Sequence, residues 1–390
     1  MTKLDIAYVP LTDAAPLVVA RERGLFKNHG LDVRLVQEQS WASVRDKLQT
    51  GRVQAAHMLA SMPLALAAGA GFAPVDFEVS MILSLNGNGV TVSNELYSDM
   101  QRTGLLHKNS SRGAGDALKA VIELRKSLRK PLLCFASVFP TSTHYYLLRY
   151  WMAASGIDTE NDVRFVVVPP PRMVEALQSG LVDGCCVGEP WNHVAVREFA
   201  GHLLLTGYDI WNNAPEKVLA MNSEWVASNE DAVIALSQAL LAACEWIDQR
   251  EHRREVARLL SLPAYVDLPQ TTIEYSLNGT VINAGNQTVR EVPDFHVFHR
   301  YTANFPWYSH AEWLLSQMIR WGQIDKNTDV TAITEKVFRT ALFRRVMALN
   351  ERQAPTSDYK TEGNLDHVVK KDGVEYGPNL FVDTVREERP

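Results

Sequence analysis

The sequence predicts an α/β protein built of two similar lobes, and three observations predict it. Strand-like and helical patterns alternate through the first half of the chain, the chain echoes itself once, and loops carrying polar and aromatic residues recur where the strands end. Taking the alternation first, apolar runs at Leu4 to Val9, Leu31 to Leu35, Leu132 to Ala136 and Val163 to Val168 read as strands. Between them, Ala15 to Arg23, Val44 to Gln49, Tyr145 to Ala154 and Met173 to Gln178 carry helical periodicity. That rhythm is the signature of βαβ units, with mainly parallel sheets covered by helices on both faces.

The echo sets Leu48-Gln49-Thr50-Gly51-Arg52-Val53-Gln54-Ala55 against Leu177-Gln178-Ser179-Gly180-Leu181-Val182-Asp183-Gly184. In each copy a helix ends at a glycine suited to the left-handed position past its C-cap, and a short strand of small and β-branched residues follows. Each copy also has, upstream, a strand ending in proline (Pro10, Pro140), a Thr-containing loop and a helix start. Two similar lobes are the simplest account of this duplication. After about Ser223 the pattern turns helical, clearest in Asp231 to Arg250 and Ala311 to Trp321, and the polar stretch from Glu351 to Pro390 reads equally as a wrapping arm or a loose tail.

Composition narrows the function. A chain of 390 residues, 46% hydrophobic and 22% charged, has ordinary globular makeup and more than one small core's worth of apolar residues. Its net charge of -6 argues against a broad nucleic-acid-binding face, which needs clustered Lys and Arg to replace phosphate counterions. No direct nucleic-acid contact is expected, and any role in gene control runs through a protein partner. The N-terminus opens straight into a strand-like run, without the basic and long apolar regions of a leader, so a cytoplasmic location is expected. The longest apolar stretch, around Ala232 to Ala243, is too short to span a bilayer. Cys134, Cys185, Cys186 and Cys244 lack zinc-ligand spacing and are expected to be reduced structural thiols, and neither metal nor cofactor is expected.

Sheets of this kind bind ligands at the carboxyl ends of their strands, where helix N-termini offer free N–H groups and partial positive charge. Two such lobes facing each other make a cleft suited to an anion. The loops at those strand ends are Ser40-Trp41-Ala42, Asn86-Gly87-Asn88-Gly89, Pro140-Thr141-Ser142-Thr143-His144, Gly188-Glu189-Pro190-Trp191 and Pro215-Glu216-Lys217. A hydrolytic set could be drawn from Ser142, His144 and Asp183, but any long chain offers such triples. No Gly-x-Ser-x-Gly elbow, Walker A loop or HExxH helix accompanies it, so an enzyme is not expected.

With Leu11-Thr12-Asp13-Ala14-Ala15-Pro16, Trp41-Ala42-Ser43-Val44-Arg45-Asp46 and Val167-Val168-Pro169-Pro170, these segments resemble, in order, the nitrate- and bicarbonate-binding proteins of the NrtA/CmpA kind. The resemblance implies a type II periplasmic-binding-protein fold, with lobe I from residues 1–92 plus about 220–350, lobe II from 93–219, and 351–390 as the arm or tail. It further implies a ligand set of Trp41, Asn88, His144, Gly188 and Lys217, with Trp41 and Asn88 on the first lobe and His144 and Gly188 on the second. Nitrate-binding relatives carry Gln where this chain has Asn88, whose amide reaches one methylene less.

Nitrate offers only acceptors, so its site should present donors and positive charge, and the bicarbonate relatives carry Glu where Lys217 stands. On that reading Lys217→Glu abolishes nitrate binding with the fold intact, and Trp41→Ala weakens it with little effect on stability. In layout the chain is similar to NasS, the cytoplasmic nitrate/nitrite sensor that pairs with the RNA-binding antiterminator NasT. The resemblance thus implies a sensor of nitrate or nitrite that sequesters a NasT-like antiterminator and releases it on binding the anion. A receptor delivering nitrate, or less readily bicarbonate, to an ABC transporter is the alternative.

Overall fold

The computed structural model describes residues 1–71, 73–106, 110–285 and 287–384. Its strands are β1 (Thr2–Tyr8), β2 (Leu31–Gln37), β3 (Ala55–Leu59), β4 (Phe77–Asn86), β5 (Asn88–Ser93), β6 (Leu133–Ser137), β7 (Val163–Val167), β8 (Gly184–Gly188), β9 (Gly201–Thr206), β10 (Pro215–Asn222), β11 (Thr280–Ile282), β12 (Thr288–Glu291) and β13 (His296–Val297). A last short hairpin pairs Val369–Lys371 with Val374–Tyr376.

Two sheets carry the two lobes, in the orders β13-β4-β10-β3-β1-β2 and β7-β6-β8-β5-β9. Leaving β13 aside, the orders are the same: a parallel trio (β2-β1-β3, β7-β6-β8), then one antiparallel strand, then an outer strand. The duplication read from the sequence is therefore a duplication of topology. Its glycines behave as their positions require, since Gly51 and Gly180 have φ of 67° and 70°, just past the helices Trp41–Gln49 and Met173–Gln178.

The antiparallel strands bring a correction to the lobe boundaries. Strand β5 follows β4 of the first sheet after the single residue Gly87, yet it lies in the second sheet between β8 and β9. Strand β10 follows β9 of the second sheet, yet it lies in the first between β3 and β4. The chain crosses between lobes at Gly87 and again over residues 207–214, so Asn88 stands on the second lobe and Lys217 on the first. A boundary placed at 92/93 or 219/220 cuts through neither crossing, because a strand can complete the sheet opposite to the one it has just left.

Apolar side chains fill both faces of the first sheet. Leu17, Val18 and Leu240 pack with Ile6 and Leu219 on one side, and Val44, Leu64 and Leu314 pack with Ala7 and Val218 on the other. The second of these clusters continues into Cys134, Ala136, Leu177 and Val187 of the second lobe, so the two lobes meet across one continuous apolar contact. All four cysteines are buried and unpaired.

Of the alternatives for the last stretch, residues 351–384 form an arm. Leu380 accepts from Asn212 N–H, Val382 donates to Ile210, and the Phe381 ring lies 5.1 Å from Trp211, 5.9 Å from Trp313 and 5.7 Å from Tyr150. Residues 385–390 lie outside the described residues. Among the described residues no helix is long and apolar enough to cross a membrane.

Candidate functional site

Each expected site residue sits at the mouth of a strand or the first turn of a helix. Trp41 opens the helix Trp41–Gln49, whose N-cap Ser40 accepts from Ser43 N–H at 3.2 Å. His144 is the second residue of the helix Thr143–Ala154, capped in the same manner by Ser142 on Tyr145 N–H at 3.1 Å. Asn88 begins β5 directly opposite Gly188, the last residue of β8. Lys217 lies in β10, between Leu59 of β3 and Ser84 of β4.

These positions converge. The ammonium of Lys217 lies 5.3 Å from the centre of the Trp41 ring. His144 Nε2 is 3.2 Å from Glu216 Oε1, and Asn88 Nδ2 donates to Glu216 Oε2 at 2.8 Å. A Cβ added to Gly188 would stand 3.5 Å from His144 Nε2, so a side chain there would take space beside the imidazole. Trp41, Asn88, His144 and Lys217 are all shut off from solvent, which places the five residues in one buried cluster at the junction of the lobes.

Three polar residues of the cluster were not in the expected set. Asp13, in the turn after β1, lies with Oδ2 2.7 Å from Lys217 Nζ, and Glu216 Oε1 lies 2.5 Å from the same nitrogen. His57 on β3 sets Nε2 3.1 Å from the Asp13 carbonyl and 3.4 Å from its carboxylate. Asp13 and Glu216 both fall in segments singled out by the sequence, but alternation along a strand predicts that Glu216 faces away from Lys217. The register of β10 shifts against β4 on both sides of Lys217, and such an irregularity lets neighbouring side chains share one site. No signal in the residues announces that shift.

The electrostatics follow from burial and from one shared cation. Burial by itself disfavours the Lys217 ammonium, but Asp13 and Glu216 outweigh it and hold the lysine above its usual value. Burial pushes the Glu216 carboxyl up by more than Lys217 and Asn88 pull it down. His144 is pushed well down, by burial and then by Lys217, and His57 is pushed down to about 4 by burial and the same cation. Both imidazoles are therefore neutral near pH 7. Lys217 is not a free cation waiting for an anion, and Lys217→Glu would place a third carboxylate in a dry cluster, which corrects the expectation of an intact fold. Trp41 packs with Val44 and Leu48 at 1% exposure, so loss of its ring costs core as well as any ligand contact.

Contacts across the cleft close the site. Thr12 N–H donates to the Glu189 carbonyl at 2.9 Å, Ser61 Oγ donates to the Thr141 carbonyl, and His193 bridges Glu189 Oε2 at 2.8 Å and the Thr280 carbonyl at 2.9 Å. Trp41 Nε1, Asn88 Oδ1, Thr141 Oγ1, Thr143 Oγ1 and both His144 ring nitrogens are buried and have no hydrogen-bond partner among the described residues. Buried polar atoms are satisfied in the great majority of cases, and a group of unsatisfied ones on both sides of a cleft marks a place built for a polar guest.

Two lobes of identical strand order, two exchanged strands and a buried polar cluster where they meet define a protein of the type II periplasmic-binding-protein fold. The chain belongs to the NMT1-like family, whose model matches residues 1–261. It is 34% identical over 365 residues to the nitrate/nitrite binding protein NrtA of Synechococcus elongatus, covering 91% of this chain and 80% of that one. It is 39% identical over 384 residues to the nitrate import ATP-binding protein NrtC of Synechocystis, covering 96% of this chain and 53% of the relative, so the chain spans about half that protein's length. It superimposes on the crystal structure of the periplasmic nitrate-binding protein NrtA from Synechocystis with a TM-score of 0.85 and 28% identity, over 98% of this chain and 94% of the other.

Proposed function

We propose that this protein binds nitrate or nitrite between its two lobes, in the cluster of Trp41, Asn88, His144, Gly188 and Lys217. The observation that carries the reading is the convergence of donors from both lobes on one buried point. Lys217 and the Trp41 ring come from the first lobe, and Asn88, His144 and Gly188 come from the second. A planar monoanion with acceptors on every side can satisfy donors from both lobes at once only when they are together, so binding selects the closed arrangement. A lysine at position 217 favours nitrate or nitrite over bicarbonate, because a carboxylate there would repel a guest that has no proton to offer.

In the cell we propose reception of the solute for a transporter, ahead of the cytoplasmic sensor expected from the sequence. The named relatives are nitrate-binding and nitrate-import components, which supports the transport role. Catalysis forms no part of the proposal.

Titration calorimetry with nitrate, nitrite, bicarbonate and sulfate tests the ligand assignment. Saturable heats with nitrate or nitrite are expected, and binding of bicarbonate or sulfate alone would reject it. Size-exclusion chromatography with a NasT-like antiterminator tests the role. Co-elution that nitrate abolishes would restore the sensor reading.

A further inference from the structure

The cluster around Lys217 already contains more negative than positive charge. Its ammonium lies 2.5 Å from Glu216 and 2.7 Å from Asp13, and all three side chains are fully buried. The other titratable groups facing Glu216 and its cation add no positive charge near neutral pH. Burial lowers His144, His57 and His296, and it raises the Cys186 thiol well above its ordinary range. A monoanion arriving at this point finds one cation claimed by two carboxylates, all of them buried.

Building on the functional reading above, we propose that the site takes its anion together with a proton, and that Glu216 is the group that accepts it. The step balances simply. A proton from solvent adds to the Glu216 carboxylate, the resulting carboxylic acid releases its hold on Lys217, and the freed face of the ammonium turns to the nitrate oxygens. The cluster carries the same net charge after binding as before. Glu216 is placed for this role, since His144 Nε2 stands 3.2 Å from Oε1 and a small turn of either side chain lets it accept the new O–H. Asn88 now donates to Oε2 at 2.8 Å with its Oδ1 against Gly207, and a flip of the amide exchanges donor for acceptor. Burial already draws this carboxyl toward its protonated form.

The test is calorimetry of the full chain with sodium nitrate at pH 7.5 in phosphate and in Tris, buffers with very different ionisation enthalpies. A Kd series at pH 6.5, 7.5 and 8.5 accompanies it. The expected result is uptake of about one proton per nitrate and an affinity that falls by up to about tenfold per pH unit as pH rises. In Glu216→Gln the uptake disappears and the pH profile flattens. Equal heats in the two buffers, with ordinary nitrate binding, would overturn the proton and leave the functional reading standing. Uptake that survives in Glu216→Gln but vanishes in Asp13→Asn would overturn the assignment to Glu216. Absence of any nitrate heat would remove the functional reading and this inference with it. Should Glu216→Gln fail to fold, the two-buffer measurement on the unaltered chain still decides whether a proton is taken up.

Discussion

Replacing Lys217 by Met removes the one ammonium held by Asp13 and Glu216 while roughly keeping the volume of the side chain. At an effective dielectric of about 20, contacts of 2.5 and 2.7 Å are each worth about 6 to 7 kcal/mol of gross attraction. Most of that is offset by the desolvation of three charges, and the net cost of orphaning a buried charge is about 3–5 kcal/mol. A second route to the magnitude uses the proton. The dry pair of carboxylates left behind escapes its repulsion by protonating one member, and at pH 7 that costs about 4 kcal/mol for a group with an ordinary value near 4.3. The cost falls to about 2 kcal/mol at pH 5.5 and rises to about 5 at pH 8. The sign is fixed by linkage: the folded variant holds a proton that its unfolded chain has given up, so its stability drops as pH rises. Urea denaturation of both proteins at pH 5.5, 7.0 and 8.0, followed by tryptophan fluorescence, measures the gap. A gap under about 1 kcal/mol at pH 7, or one that does not widen with pH, would refute the account of a shared buried cation.

Trp41→Ala should lose about 3–5 kcal/mol of stability as well as nitrate affinity, measured by denaturation and calorimetry, because the ring is 1% exposed among Val44 and Leu48. Gly207→Ala would set a methyl 2.2 Å from Asn88 Oδ1 and should weaken nitrate at least tenfold by moving that amide; an unchanged Kd would take Asn88 out of the site. His193→Ala breaks the bond to the Thr280 carbonyl and should raise the radius of gyration of the ligand-free protein in small-angle scattering. Glu189 outweighs burial and holds His193 above its ordinary value near 6.5. Its support for closure is therefore complete below about pH 6.5 and lost as pH rises through the raised value, so expansion with pH is expected in the unaltered chain and not in the variant.

The parts of this structure legible in the sequence are those set by local chemistry. Alternating apolar runs gave β1, β2, β6 and β7, helical spacing gave the segments that cover them, and Gly51 and Gly180 announced two helix ends because few other residues tolerate that backbone. The exchange of β5 and β10 was not legible, since a strand's pattern shows that one of its faces is buried but not which sheet buries it. That gap put Asn88 and Lys217 on the wrong lobes while leaving their convergence intact. Asp13 and Glu216 were missed for a different reason. Their segments were noticed, but their charges became part of the site only through a register shift and a turn, neither of which a residue pattern encodes.

Gly87, with φ of 82°, is the whole link between β4 and β5, and Asn86 before it, at φ of 59°, is bonded to Asn213 at 3.1 Å and to Ala214 on the returning crossing. The residue after Gly87 is Asn88. Chain crossings and polar cluster thus occupy nearly the same spot, as if a lock had been fitted on the hinge side of a door. Any swing of one lobe about these strands moves the outer edges through many times the distance travelled at Asn88. A guest gripping there must hold its partners to within a fraction of an ångström to keep the far rims together, and a small error of fit at the pivot becomes a visible gap at the mouth.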